Sequence, residues 1–246
     1  MQVALVQGAS RGLGLAFVQL LLESDPDLHV IATARHVAQS EALCALRAEV
    51  GERLKLLSLD LRDEASLHAA SEALMGTQID LLINCAGLLH EGRLMPEKAL
   101  EQVELAHLQQ VFAVNAFGPL LVAKHFLPHL RREGRVILAN VSARVGSIGD
   151  NRLGGWYAYR ASKAAQNMLT KTLAIELTRR LPNVLCVALH PGTVETELSR
   201  PFCSRVPKDK LFEPRFAAAQ LLGVLERLEP HHHGSFLAWD GQEIPW

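Results

Sequence analysis

The sequence has no excess charge of either sign: 25 Lys and Arg stand against 26 Asp and Glu, a formal net charge of −1. That balance supplies no broad attraction to nucleic acid or an acidic membrane, and no nucleic-acid motif accompanies it. Cysteines are few. Cys44, Cys85, Cys186 and Cys203 are scattered without a CxxC, which argues against a disulfide framework and reads as reduced thiols in a cytoplasmic protein. No window offers the roughly eighteen uncharged apolar residues that a membrane span needs. Met1 runs straight into a strand-like stretch with no basic leader, so no secretory signal is expected. Repeats and low-complexity linkers are missing too. The run His231-His232-His233 has no carboxylate or cysteine cluster nearby, and Pro230 and Gly234 flank it, so a turn is expected there and no metal site.

What is present is ample apolar side chain, 49% of the sequence, enough for one core in one domain spanning residues 1–246. Short apolar runs (Val3–Val6, Leu28–Thr33, Leu54–Leu59, Ile79–Ile83, Arg135–Asn140, Val184–Leu189, Ser235–Trp239) read as buried strands. They alternate with stretches of helical spacing: Leu13–Leu22, Ser40–Val50, Glu64–Met75, Leu105–Arg131, Tyr159–Leu181 and Phe216–Leu228. Continuous rather than alternating apolar strands, each followed by a helix, predict a parallel sheet covered on both faces. The irregular stretch 191–214, with four prolines, reads as a flexible flap over a substrate.

The first strand ends in Gly8-Ala9-Ser10-Arg11-Gly12-Leu13-Gly14 and opens a helix. Glycines allow a sharp turn and close backbone approach, and a helix N-terminus offers free N–H groups to phosphate. This spacing predicts a dinucleotide cradle. An acid at the end of the second strand would favour NAD; Ala34-Arg35 stands there instead. Arg35, with Arg11 inside the glycine loop, suits a 2′-phosphate, so NADP is expected, with NAD possible.

Further motifs fall in a fixed order. Asp60-Leu61 follows the third strand and Asn84-Cys85-Ala86-Gly87 the fourth; then come Asn115, Ser142, Tyr159-Arg160-Ala161-Ser162-Lys163 and Pro191-Gly192-Thr193. Together they resemble the short-chain dehydrogenase/reductase family over essentially the whole chain. Tyr157–Ala164 and the ending Asp240–Trp246 are similar to its C-factor (C-signal) branch. The resemblance implies a Rossmann-type, doubly wound αβα domain with seven strands in order 3-2-1-4-5-6-7. It implies that Asp60 and Leu61 hold adenine. Asn84, Ala86 and Gly87 would line the cofactor and support the sheet. Lys163 would hold the nicotinamide ribose, and Pro191, Gly192, Val194 and Thr196 would border the nicotinamide amide. Asn115 would complete a proton relay, and the helices around 105–130 and 157–181 would pair subunits into a homodimer or homotetramer. Two departures stand out: Gln7 replaces the family's usual Thr and Cys85 its second Asn.

Tyr159 and Lys163 are four apart and share a helix face. A free tyrosine, with a pKa of about 10, is a poor acid or base near neutrality. A neighbouring lysine cation and an oxidised nicotinamide favour its phenolate, which makes proton exchange with a carbonyl oxygen feasible. The family's catalytic serine stands three residues before a glycine; three before Gly146 is Ala143, and Ser142 is one residue off. Three readings stay open: Ser142 serves because the glycine anchor is misplaced, a bulge re-aims Ser142, or the serine is missing and Tyr159 alone or Ser147 holds the carbonyl oxygen. The expected function is NAD(P)-dependent interconversion of a small-molecule carbonyl and alcohol. The alternative is a cofactor-binding signalling protein of the C-factor type with little turnover.

Overall fold

The computed structural model describes residues 1–246, Arg205 by its backbone alone. The strands are β1 (Val3–Gln7), β2 (His29–Ala34), β3 (Leu54–Ser58), β4 (Leu81–Asn84), β5 (Val136–Val141), β6 (Val184–His190), the two-residue β7 (Thr193–Val194) and β8 (Leu211–Phe212), and β9 (Phe236–Ala238). Seven of them form one parallel sheet in the order β3-β2-β1-β4-β5-β6-β9, while β7 pairs only with β8. With that side pair set apart, the order is the expected 3-2-1-4-5-6-7. The central strand β1 shows why: Val6 lies opposite Ala32 on one side and Ile83 on the other, and every residue from Ala4 to Gln7 is buried.

Helices cover both faces. They are α1 (Gly12–Ser24), α2 (Glu41–Val50), α3 (Glu64–Glu72), α4 (Leu105–Phe112), α5 (Gly118–Phe126), α6 (Tyr157–Arg180) and α7 (Pro214–Glu226). Ala4 and Val6 pack with Phe17 of α1 and Leu221 of α7. Their neighbour Leu5 points the other way, into a core with Leu67 of α3, Phe126 of α5 and Leu177 of α6. The two-residue periodicity of a strand thus divides one hydrophobic sequence between two helical layers.

The apolar stretch expected as one helix from Leu105 is broken. A π-turn at Ala113–Phe117 separates α4 from α5. Pro119, four residues after Asn115, has no N–H, so the Asn115 carbonyl lacks its usual α-helical donor. Against the expectation that no window is apolar enough for a membrane span, the segment Leu105–His129 is long and apolar enough to cross a membrane by length and composition; here it packs against the sheet and α6. The histidine run is a turn: His232 Nδ1 accepts from the Glu229 amide at 2.9 Å, and His233 Nδ1 accepts from the Cys186 amide at 3.1 Å.

One carboxylate holds the N-terminal edge of the central strands. Asp80 accepts hydrogen bonds from the amides of Gln2 (2.6 Å) and Val3 (2.9 Å) and from Arg131 Nε. Burial alone would raise its pKa; the Arg131 guanidinium and the two amides outweigh burial and hold it below the usual carboxylate value. A depressed native pKa contributes stability that is present above the unfolded value of about 3.9 and is lost as pH falls through the native one. Asp80→Asn should therefore cost about 2 kcal/mol in urea denaturation at neutral pH and flatten the loss of stability below about pH 4. Equal acid sensitivity in the two proteins would remove Asp80 as its source.

Candidate active site

The carboxyl ends of the parallel strands open into a cleft of about 1190 Å³. It lies where the chain leaves β1 toward β2 on one side and β4 on the other, the switch point at which such sheets bind ligands. At one end is the glycine loop. Gly8 has φ +82°, and a Cβ there would fall 2.6 Å from the Ala86 amide nitrogen. A Cβ on Gly14 would stand 2.1 Å from the Gly8 carbonyl oxygen. The turn therefore closes onto β4 and back onto itself only without side chains. Gln7 fixes the same junction, accepting from the Ala86 amide at 3.2 Å, which is the work of the residue standing at the family's Thr position. Helix α1 then starts with no side-chain cap and no acid in its first turn, leaving its N-terminal amides to a phosphate-bearing group.

The cleft wall gathers most of the residues singled out from the sequence. Gly8, Ser10, Arg11, Gly12, Leu13 and Gly14 line it, as do Arg35, Asp60, Leu61, Ala86 and Gly87. Pro191, Gly192, Val194 and Thr196 come in from the end of β6 and from β7, and Ser142, Tyr159 and Lys163 close the floor. Asn84, like Asn115, is an exception. It lies under the cleft, donating to Asn140 Oδ1 at 2.7 Å, so it supports the sheet and does not line the wall. Its own Oδ1 is buried with no partner among the described residues. Asn115 is also fully buried. Its side chain exchanges two hydrogen bonds with the Leu88 backbone (2.7 and 2.8 Å) and donates to Ser162 Oγ at 3.0 Å, tying the loop after β4 to α6.

Helix α6 carries the reactive pair on a buried polar face. Tyr159, 8% exposed, is pushed up to about 12 by burial. Lys163, 3% exposed, is pushed down to about 8 by burial, with Cys85 opposing weakly. The ammonium donates to the Val141 carbonyl (2.9 Å) and to Gln166 Oε1 (2.8 Å), leaving one of its three protons for another acceptor. Gln166 carried no recognisable signal in the sequence. Only the helical spacing of three from Lys163 and its burial mark it.

The geometry distinguishes Ser142 from its neighbour Ala143. Asn140 and Ser142 are two apart on an extended chain and both turn toward α6. Asn140 donates to Thr170 Oγ1 at 2.9 Å, and Ser142 Oγ donates to Asn167 Oδ1 at 2.6 Å. Strand alternation directs position 143 elsewhere, and Ala143 lines the cleft with no hydroxyl. Ser147 is buried, and its Oγ accepts from the Asp150 amide at 3.1 Å. His190 was also unforeseen. Its Nδ1 accepts from the Arg144 amide at 3.2 Å, joining the loop after β5 to the end of β6. Burial first, and the Arg144 charge second, push His190 down to about 4, so it is neutral near pH 7.

The stretch 191–214 contains regular structure. The β7–β8 pair anchors it, and Gly192, at φ +78°, leaves room for the Phe212 ring. Glu197 ion-pairs with Arg11, its carbonyl oxygen lies 3.1 Å from the His90 ring, and Phe202 packs edge-on against Trp156 at 4.8 Å between centroids.

Comparison with known proteins agrees with this geometry. Residues 2–206 match the family model described as short chain dehydrogenase. The C-signal protein of Myxococcus xanthus is 37% identical over 168 residues, covering 68% of this chain and 93% of that one. The NADPH-bound carbonyl reductase from chicken fatty liver superposes with a TM-score of 0.87 at 33% identity, covering 100% of this chain and 99% of that one. The carbonyl reductase Sniffer of D. melanogaster gives 0.88 at 28% identity, with both chains fully covered.

The close packing of the glycine loop can be measured directly. Gly14→Ala should destabilise the fold by about 2 kcal/mol through overpacking. Gly87→Ala, whose new Cβ would stay 3.7 Å from Asn115 Oδ1, should be tolerated. Equal denaturation midpoints for the two variants would contradict the loop geometry.

Proposed function

This chain belongs to the short-chain dehydrogenase family, and from that premise we propose that it is an NADP-dependent carbonyl reductase in which Tyr159 passes the proton. The observation that carries this reading is the shared cleft: an uncapped helix N-terminus and glycine loop at one end, Tyr159 and Lys163 on the floor. Arg11 and Arg35 line the cleft and supply cations suited to a 2′-phosphate, and the chicken fatty liver carbonyl reductase is bound to NADPH. NAD is the second cofactor of this reading, and small aldehydes, ketones and quinones are the substrate class.

Bound reduced nicotinamide supplies the hydride; the protein's own groups handle the proton. Tyr159 is neutral at pH 7 and donates to the carbonyl oxygen as negative charge develops there. Lys163, still largely protonated at that pH, stabilises the resulting phenolate and spends its remaining proton on the ribose side of the cleft. Val141 O and Gln166 hold the ammonium against its own desolvation. Asn115 would complete the relay by stabilising a water beside Lys163. Ser142 is committed to Asn167, so Tyr159 is the principal donor to the carbonyl oxygen. Exposed Leu105, Phe117 and Leu120 on the α4–α5 stretch, with Met168 and Ile175 on α6, are read as the seam of a homodimer or homotetramer.

Tyr159→Phe should lower carbonyl reduction by roughly 10²–10⁴-fold while NADPH binding, followed by fluorescence, persists. If the wild type binds NADPH tightly and turns over no carbonyl in a broad panel, the reductase reading fails and the signalling alternative takes its place.

The pH profile tests Lys163. Its ammonium is lost as pH rises through about 8, so kcat/KM for reduction should fall above that pH. Gln166→Leu removes an acceptor that favours the charged form and should move this limb to lower pH. An unmoved limb would leave Gln166 a packing residue only.

Ala143→Ser should raise kcat, by up to roughly 10²-fold if the new hydroxyl reaches the carbonyl oxygen. Ser142→Ala should leave kcat within a few-fold and act on stability instead. A collapse of turnover in Ser142→Ala would return the catalytic role to Ser142.

A further inference from the structure

Four charged side chains meet at the end of the cleft below β2 and β3. Arg35 follows β2, Asp60 and Arg62 follow β3, and Glu91 comes from the loop after β4; all four line the cleft. Glu91 Oε1 accepts from Arg35 Nη1 at 3.3 Å and from Nη2 at 3.4 Å. Glu91 Oε2 lies 3.7 Å from Arg62 Nη1. Arg62 in turn donates from its amide (2.9 Å) and Nε (3.4 Å) to Asp60 Oδ1. Burial alone would raise the Asp60 carboxyl, but those bonds and the charges of Arg62 and Arg35 hold it below its ordinary value.

The formal charge of this cluster is zero. Two guanidiniums already face two carboxylates, so an arriving 2′-phosphate of nearly two negative charges meets no net positive field. Asp60 is bound to Arg62 by its own loop, within two residues. Glu91 reaches across from another strand, through long contacts between side chains each 44% exposed on the Arg35 side. It is the member that can leave. A carboxylate at this end of the cleft also has a second use. The acid that ordinarily accepts the ribose hydroxyls of NAD is missing from the end of β2, where Arg35 stands, and Glu91 brings a carboxylate to the same place.

We infer that Glu91 is an exchangeable counter-ion that sets cofactor choice: it yields Arg35 and Arg62 to the 2′-phosphate of NADPH, and it stays to accept the ribose hydroxyl of NADH. Arg62 is then a second 2′-phosphate ligand beside Arg35. The inference rests on the dinucleotide-binding reading above and adds a residue to it that no motif contains. Its signature is a change of opposite sign for the two cofactors.

The test is titration of Glu91→Gln with NADPH and with NADH, read by protein fluorescence and by calorimetry, with no turnover involved. NADPH should bind roughly two- to five-fold tighter than to wild type, the scale of an exposed ion pair, and NADH weaker by a similar factor. Raising the salt concentration should shrink both effects. Arg62→Gln should weaken NADPH and leave NADH nearly unchanged. If Glu91→Gln moves both cofactors in the same direction, Glu91 is a loop-shaping residue and the inference is overturned; it is equally overturned if neither affinity moves. A wild type that binds neither cofactor would instead overturn the dinucleotide reading itself, and Glu91 with it.

Discussion

The site depends on a polar stripe that α6 buries against the end of β5. Ser162, Lys163, Gln166, Asn167 and Thr170 are each almost completely buried, on the face where a covering helix would ordinarily place leucines. Each of these groups costs free energy in the interior unless it finds a partner. The partners come from one short segment: Asn140 meets Thr170, the Val141 carbonyl meets Lys163, and Ser142 meets Asn167. A slip of α6 by one residue along β5 would break these three contacts together, while Ser162 is held by Asn115 and the Tyr159 carbonyl. Gly146 allows the close approach this requires, since a Cβ there would come within 2.8 Å of the Lys163 backbone carbonyl carbon. The register of Tyr159 over the cleft is therefore set two turns further along the helix than the tyrosine itself.

That arrangement explains the charge state of the pair. A buried ammonium with no carboxylate beside it titrates early, and Lys163 has only neutral acceptors, Val141 O and Gln166 Oε1. Those acceptors keep the charge viable near neutrality without neutralising it. A carboxylate in Gln166's place would stabilise the lysine further and cancel its field at Tyr159. The amide is the compromise that leaves the field available to a developing phenolate.

Much of the fold was legible because buried parallel strands announce themselves as uninterrupted apolar runs, and all seven emerged in the expected order. Asn115 and Pro119 together foretold a break in the long helix, but a helical pattern read by hydrophobicity alone ran through it. On α6, Met168 and Ile175 are exposed, and the buried face is polar from Ser162 to Thr170 and apolar from Ala174 to Leu177. Motif residues of the cradle and the pair reached the cleft because their functions require fixed spacing along the chain. Gln166, His190, Arg62 and Glu91 did not stand out, since their roles depend on partners tens of residues away in some cases and on burial in the others. Ser142 was ambiguous in the sequence for a physical reason. Alternation decides which of two neighbours faces α6, and that depends on where β5 ends, which periodicity does not locate to one residue.

The cations around the cleft share one property that the net charge of −1 already hinted at. Arg11 is paired with Glu197, Arg35 with Glu91, and Arg62 with Asp60 and Glu91. On the inference above, cofactor phosphates would displace carboxylates and not enter a positive funnel. Displacement makes affinity a difference between two ion pairs of similar strength, so it is modest and adjustable, and selectivity becomes a property of the leaving carboxylate as much as of the arginine. Glu197 lies on the segment after β7, and Arg11 in the glycine loop. That ion pair is one of several ties on the segment, beside the Glu197 carbonyl at His90, the Phe202–Trp156 contact and the β7–β8 pair, so an anion that draws Arg11 away leaves the segment held.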